Sequence, residues 1–194
     1  MKRRMYVIPG FGGKVDNKDA GVRRFLKIIS GRFEVIPVNI DWKRKVMTDF
    51  ASQFIQQYDF SYKGENYIFG FSFGAYISFI TSPYTKPDMQ ILASLSPLFR
   101  EDLKRSSKNI RKGISMKLKR DLYSYSFNDT ALKISKETYN VLFVGDKEDK
   151  ESLVRVRDAH RKLEGSKLFV CKDAGHDLFN KNYLETLSSF VSKL

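Results

Sequence analysis

Residues 70–74 read GFSFG, a G-x-S-x-G motif that lies between two apolar runs. The run before it, 67–69, predicts a buried strand, and the run after it, 75–80, predicts a helix. Where a strand passes into a helix through this motif, the serine takes a strained backbone conformation, and side chains two residues to either side would collide. Glycine occupies both of those positions. Because such a turn presents its serine hydroxyl at the edge of a sheet, Ser72 is the candidate nucleophile.

Apolar runs and amphipathic segments alternate along the rest of the chain. Strands are predicted at 5–8, 33–38, 67–69, 90–95, 140–144 and 167–171. Helices are predicted at 22–29, 46–58, 75–80, 151–163 and 183–191, with Asp41 as a candidate cap of the second and Pro83 and Pro87 as the stop of the third. Continuous apolar strands separated by helices are typical of an α/β fold, here a mostly parallel sheet of about six strands with helices on both faces. Pro37 predicts that the 33–38 strand lies at an edge, since proline donates no ladder hydrogen bond.

Length and composition indicate one soluble globular domain over residues 1–194, with 42% hydrophobic and 29% charged residues. No apolar run approaches the roughly 20 residues of a membrane helix. The start of the chain also lacks the longer apolar region of a signal peptide. We therefore expect a cytoplasmic protein. Cys171 is the only cysteine, so an internal disulfide is impossible, and we expect this residue to be buried in the core.

Residues 100–135 differ from the rest, because they are polar, basic and free of strand-like runs. They predict a short helical insertion. Residues 104–120 read KRSSKNIRKGISMKLKR, with no acidic residue in the run, in a chain of formal net charge +13. If the insertion covers the site, its positive potential would attract an anionic substrate. A solvated basic surface is the alternative. The run contains no aromatic residue on which bases could stack, which argues against sequence-specific nucleic-acid binding.

A serine nucleophile needs a base, and the chain contains two histidines. His160 lies within the predicted helix 151–163, beside its apolar stripe, where a structural role is expected. His176 follows the last predicted strand. Since catalytic groups of open parallel sheets collect at the carboxyl ends of the strands, we expect His176 to lie near Ser72.

The base in turn needs an acidic partner, which holds the imidazole in the right tautomer. Residues 145–149 read GDKED directly after a predicted strand, so Asp146, Glu148 and Asp149 are all candidates. The order along the chain is then serine, acid, histidine, as G-x-S-x-G enzymes with this type of sheet have it.

An acyl-transfer site also needs donors for the oxyanion of the tetrahedral intermediate. The N–H of Phe73, directly after the candidate nucleophile, is one candidate. The N–H of Phe11, in the glycine-rich stretch PGFGG at 9–13, is the other. That stretch fits neither the dinucleotide-binding nor the nucleotide-phosphate pattern.

In their order and their positions after strands, these motifs resemble the α/β-hydrolase family, and in particular its small members, over nearly the whole chain. The resemblance implies that Ser72 is the nucleophile and His176 the base. It selects Glu148 as the acid, because the family often places this residue three positions after the glycine that ends the strand. It also implies that residues 100–135 form a helical cap. Pro9 departs from the family pattern, in which many members have histidine.

The predicted function is therefore that of a serine hydrolase, which cleaves a carboxylic ester or a related small acyl compound through an acyl-enzyme on Ser72. Such chemistry needs no metal and no organic cofactor. The alternative is a non-catalytic scaffold of the same fold, which binds nucleic acid, an anionic lipid surface or an acidic protein through its basic insertion.

Overall fold

A computed structural model describes residues 3–16, 18–43, 45–105 and 115–194. Its strands are β1 (Arg3–Ile8), β2 (Glu34–Pro37), β3 (Glu65–Phe71), β4 (Met89–Ala93), β5 (Tyr139–Gly145) and β6 (Lys167–Cys171). They form one parallel sheet in the order β2-β1-β3-β4-β5-β6. The parallel sheet is confirmed, and so is the edge position of the strand that ends in Pro37.

The helices of the described ranges are α1 (Ala20–Ser30), α2 (Met47–Gln57), α3 (Phe73–Thr85), α4 (Arg100–Arg105), α5 (Met116–Leu122), α6 (Phe127–Ala131), α7 (Lys150–Lys162) and, after the last strand, α8 (Lys181–Val191). Several begin at a side-chain cap, which satisfies backbone N–H groups that have no partner inside the helix. Asp19 caps α1, Asp149 caps α7 and Asn180 caps α8.

Helices cover both faces of the sheet, as the apolar strands predict. Side chains of each strand alternate between the two faces, so that Met5 and Val7 contribute to one core and Tyr6 and Ile8 to the other. One core includes residues of α2, α3 and α7. The other includes residues of α1 and α8, together with the buried Cys171.

Two local predictions are wrong, and a third is wrong in part. Asp41 does not cap α2; the helix begins after Val46, whose N–H donates to the side chain of Asp49. Pro83 lies inside α3, which continues to Thr85, whereas Pro87, the other predicted stop, directly follows the C-cap Lys86. The strand β4 ends at Ala93, two residues early, since Ser94 has a positive φ of 52° that leaves the strand conformation.

The insertion at 100–135 is helical in its described part and packs on the α2–α3 side of the sheet. The ring of Phe99 stacks on that of Tyr76 with 4.1 Å between centroids, and Phe127 stacks on Phe79 at 4.6 Å. Residues 106–114, which hold the centre of the basic run, lie outside the described residues. The cap over the site therefore stays a prediction.

Candidate active site

Ser72 lies between β3 and α3 in a strained backbone conformation, with φ 56° and ψ −112°. A Cβ atom on Gly70 would lie 2.4 Å from the carbonyl oxygen of Gly74, and a Cβ atom on Gly74 would lie 2.1 Å from that of Ile8. Neither position can therefore carry a side chain without moving backbone. The tight turn packs Gly74 against the end of β1, and the N–H of Ser72 still donates to the carbonyl of Ala93 at the end of β4.

A continuous hydrogen-bond chain runs from Ser72 into the protein. Ser72 Oγ lies 2.9 Å from Nε2 of His176, and Nδ1 of His176 lies 2.8 Å from Oε2 of Glu148. The imidazole is partly exposed, whereas the Glu148 side chain is fully buried. Residues that are 104 and 28 positions apart in the sequence thus meet at one edge of the sheet.

Of the three candidate carboxylates, Glu148 is the one that hydrogen bonds to His176. The Asp149 side chain instead accepts from the N–H and the hydroxyl of Ser152 and caps α7. Asp146 is exposed. The loop is held in place at Gly145, where a Cβ atom would lie 2.2 Å from the carbonyl oxygen of Ala174. This close approach brings the acid loop against the segment that carries His176.

The pKa of His176 is raised above its ordinary value of 6.5, chiefly by the hydrogen bond to Glu148. Burial opposes this shift, and the charges of Glu148, Asp149 and Asp177 add to it. The carboxylates around the ring therefore stabilise the imidazolium that forms when His176 accepts a proton.

The hydrogen-bond chain from Ser72 continues at its buried end through Ser94 and Tyr183, which the sequence did not single out. Ser94 Oγ lies 2.6 Å from Oε1 of Glu148 and 3.1 Å from the hydroxyl of Tyr183. Near the mouth, Ser96 Oγ lies 3.3 Å from Ser72 Oγ. The signal that could have identified Ser94 is a serine directly after a strand, at the sheet edge where Ser72 and His176 meet. The predicted strand 90–95 instead included Ser94.

Phe11 and Phe73 lie side by side next to Ser72, with 5.1 Å between their ring centroids. Phe11 belongs to a turn that is closed by the hydrogen bond from Gly13 N–H to the Gly10 carbonyl, 2.9 Å long. Phe73 is the first residue of α3, where a backbone N–H has no partner within the helix.

A cleft of about 730 Å³ opens beside Ser72 and His176, on the α1 side of the sheet. Its wall is largely apolar and includes Val7, Val22, Phe25, Phe69, Phe71 and Phe179. Its charged residues are exposed, and they comprise three aspartates and one lysine: Asp16, Asp19, Asp177 and Lys14. None of the described residues of the insertion lines this cleft.

Comparison with solved structures finds the same architecture in several proteins. Est1E from Butyrivibrio proteoclasticus matches with a TM-score of 0.81 and 12% identity, over 99% of this chain and 86% of Est1E. The esterase EaEST from Exiguobacterium antarcticum matches with a TM-score of 0.68 and 18% identity, over 98% and 92% of the two chains. This chain has the α/β-hydrolase fold. Mouse alpha/beta hydrolase domain-containing protein 10 matches with a TM-score of 0.67 and 12% identity, over 97% and 88%. No family model and no curated protein matches the sequence.

Within this α/β-hydrolase fold, His160 lies away from the candidate site. Its Nδ1 is 2.9 Å from Oγ of Ser166, which precedes β6 at the amino end of that strand, opposite to the edge that carries His176. Across the described ranges, no group of three or more His, Cys, Asp and Glu side chains is arranged to hold a metal ion. In the same ranges, no helix is both long and apolar enough to cross a membrane.

Proposed function

We propose that this α/β-hydrolase-fold protein is a serine hydrolase that cleaves a carboxylic ester or a related acyl compound. The observation that carries the proposal is the hydrogen-bond chain Ser72–His176–Glu148 at the mouth of an apolar cleft. A hydroxyl, an imidazole and a buried carboxylate in this order are the groups that nucleophilic acyl transfer requires.

In the first half of the reaction, Ser72 Oγ attacks the carbonyl carbon while its proton passes to Nε2 of His176. Glu148 holds the proton on Nδ1 and stabilises the imidazolium. The N–H groups of Phe11 and Phe73 would donate to the oxyanion. The intermediate then collapses, the bond to the leaving oxygen breaks, and His176 returns its proton to that oxygen. The products are a free alcohol and an acyl-enzyme ester on Ser72.

Water completes the cycle by the same route. Neutral His176 removes a proton from water, and the oxygen attacks the acyl carbon. The second tetrahedral intermediate expels Ser72 Oγ, which takes the proton from the imidazolium. The carboxylic acid leaves and the starting state is restored.

The cleft favours a substrate with an uncharged apolar group next to the scissile bond. Its wall is built mainly of aliphatic and aromatic side chains, and carboxylates outnumber ammonium groups among its charged residues. One structure of Est1E contains ferulic acid, an aromatic carboxylic acid. An aromatic or medium-chain acyl group would bury its apolar surface against the wall of this cleft.

The test is labelling by a fluorophosphonate probe, followed by a panel of p-nitrophenyl esters of graded acyl length. Wild-type protein should be labelled on Ser72 and should release p-nitrophenol, whereas Ser72→Ala should do neither and still fold. Labelling distinguishes this enzyme from a non-catalytic scaffold that binds an anionic partner. Absence of labelling in folded wild-type protein, or full turnover by Ser72→Ala, would overturn the proposal.

A further inference from the structure

A second layer of buried hydroxyls lies behind the acid of the candidate site. Building on the proposed function, we infer that Ser94 and Tyr183 are positioning residues, which lock the Glu148 carboxylate in the orientation that His176 requires. Neither residue reaches the cleft. They would act on the reaction only through Glu148.

The two oxygens of Glu148 have separate partners. Oε1 accepts from the Ser94 hydroxyl at 2.6 Å and from the Gly145 N–H at 2.9 Å. Oε2 faces Nδ1 of His176 at 2.8 Å. Because both bonds to Oε1 resist rotation of the carboxyl group, they fix the direction of Oε2.

The direction of the hydroxyl chain follows from counting hydrogens. Ser94 has one hydroxyl hydrogen, which it donates to Glu148. The contact of 3.1 Å between Ser94 Oγ and the Tyr183 hydroxyl must then have Tyr183 as its donor. Burial raises the pKa of Tyr183 well above 10, so that this phenol keeps its proton throughout the working range of a histidine base.

The backbone at Ser94 gives an independent reason to assign its hydroxyl a role. Its φ is 52°, in the left-handed region where glycine is the favoured residue, and the residue is fully buried. Strained backbone of this kind clusters at functional sites. Glycine would relieve the strain but would leave Oε1 of Glu148 without its shortest hydrogen bond.

The strain also provides a variant that separates positioning from folding. Ser94→Gly removes the hydroxyl at a position whose backbone favours glycine, so the relieved strain should offset part of the cost of the lost hydrogen bonds and the variant should still fold. Tyr183→Phe removes only the outer hydroxyl of the chain. Ser78→Ala is the matched control, because Ser78 is a buried serine that bonds to Gln90 on the far side of the sheet from the cleft.

Two readouts are needed. The first is the pH dependence of kcat and kcat/KM with a p-nitrophenyl ester. The second is an NMR titration of the imidazole Cε1–H signals, which is simple to assign because the chain has two histidines. The groups that face His176 in this titration are Glu148, Asp149 and Asp177. The titration needs no enzymatic activity, so it tests the positioning role even if the proposed function fails.

We expect Ser94→Gly to remain folded at the assay temperature, to lower kcat by about 10- to 100-fold, and to lower the pKa of His176. Tyr183→Phe should lower kcat and the pKa of His176 by smaller amounts. Ser78→Ala should leave both of these quantities unchanged. An unchanged kcat or an unchanged His176 titration in folded Ser94→Gly would overturn the inference. If wild-type protein is inactive but the titration still shifts, the positioning role stands and the proposed function fails.

Discussion

At the scale of single residues, one of the three carboxylates in the loop after β5 hydrogen bonds to His176. Glu148 is the fully buried one of the three, and its two oxygens are divided between His176 and the Ser94–Gly145 side. Asp149 is engaged in capping α7. The buried carboxylate and the partly exposed imidazole together hold Nε2 toward Ser72.

Glu148→Gln should lower kcat by up to about 10⁴-fold. Oε1 of the amide can keep the bonds to Ser94 and Gly145, which turns its NH₂ group toward Nδ1 of His176. The ring then carries its proton on Nε2 and cannot accept one from Ser72. Asp146→Asn and Asp149→Asn are the controls and should change kcat little, since asparagine also caps a helix well. A crippled Asp149→Asn enzyme with a nearly normal Glu148→Gln enzyme would refute the assignment.

The rate should rise with pH through one ionisation whose pKa lies above 6.5, because only neutral His176 accepts the proton of Ser72 and its pKa is raised by Glu148. A histidine judged from sequence alone would titrate near 6.5. The same shift stabilises the fold below that ordinary pKa, and the contribution is lost as pH rises through the folded-state pKa. A pH–rate profile under conditions where chemistry is rate-limiting measures this kinetic pKa. A profile that is flat from pH 5 to 8 would contradict the assignment of His176 as the base.

At the scale of elements, α1 meets the loop before α8 at one wall of the cleft. A Cβ atom on Gly21 would lie 2.6 Å from Cγ and 2.9 Å from Cβ and Cδ2 of Phe179. Phe179 lines the cleft three residues after His176, and its ring is 38% exposed. Gly21 thus lets the Phe179 ring lie against α1.

We predict that Gly21→Ala lowers kcat/KM for octanoyl relative to acetyl p-nitrophenyl esters by about 10-fold, because the displaced ring narrows the apolar wall. Phe179→Ala should raise the same ratio. In the double variant, Gly21→Ala should have a much smaller effect, since most of the clashing atoms are gone. Phe60→Ala, which removes an exposed ring outside the cleft, is the control. Equal effects of Gly21→Ala with and without the Phe179 ring would show that the ring does not set the width.

A buried ion pair joins the insertion to α7. Asp102 of α4 accepts bonds of 2.9 and 3.1 Å from Nε of Arg155, which is 2% exposed and whose guanidinium lies 4.5 Å from the ring centre of Phe127. Removing one partner leaves the other charge buried without compensation.

Asp102→Ala should therefore lower the free energy of unfolding by about 3–5 kcal/mol in a urea titration. Asp129→Ala is the matched control, since it breaks an exposed pair with Arg100 and should change stability by less than about 1 kcal/mol. Equal losses in the two variants would mean that the buried pair does not anchor the insertion.

At the scale of the whole molecule, the formal charge of +13 acts on any ligand that carries charge. The field of the chain is positive although three of the four charged cleft residues other than His176 are acidic. An anionic substrate therefore remains a proposal that rests on long-range attraction rather than on contacts in the described cleft.

If that attraction matters, kcat/KM for an anionic ester should fall as salt is added, because the Debye length shortens to about 8 Å at physiological ionic strength. The value for a neutral ester should stay level. Replacing Lys108, Arg111 and Lys112 with Gln, three positions outside the described residues, should reduce the difference. Equal salt dependence of the two esters would show that the basic run does not steer substrate.

The sequence by itself determined the alternation of strands and helices, the edge position of the strand that ends in Pro37, and the tight strand-to-helix turn at 70–74. Each of these features depends on residues that are close together in the chain. The period of the apolar side chains predicts the strands and helices, the missing N–H of Pro37 predicts the edge strand, and the glycines two positions from Ser72 predict the turn. The meeting of Ser72, the 145–149 loop and His176 was also predictable, since parallel strands bring their carboxyl ends to one edge.

The tertiary structure decided which carboxylate faces His176, that Ser94 and Tyr183 stand behind it, and that the cleft opens toward α1. Ser94 and Tyr183 are 89 residues apart, and no local pattern links them. Ser94 follows β4 and Tyr183 belongs to α8, so their contact depends on how these two distant elements pack. The direction of Glu148 likewise depends on the close approach of Gly145 to Ala174. Contacts of this kind arise from the packing of elements distant in sequence, which local periodicity does not encode.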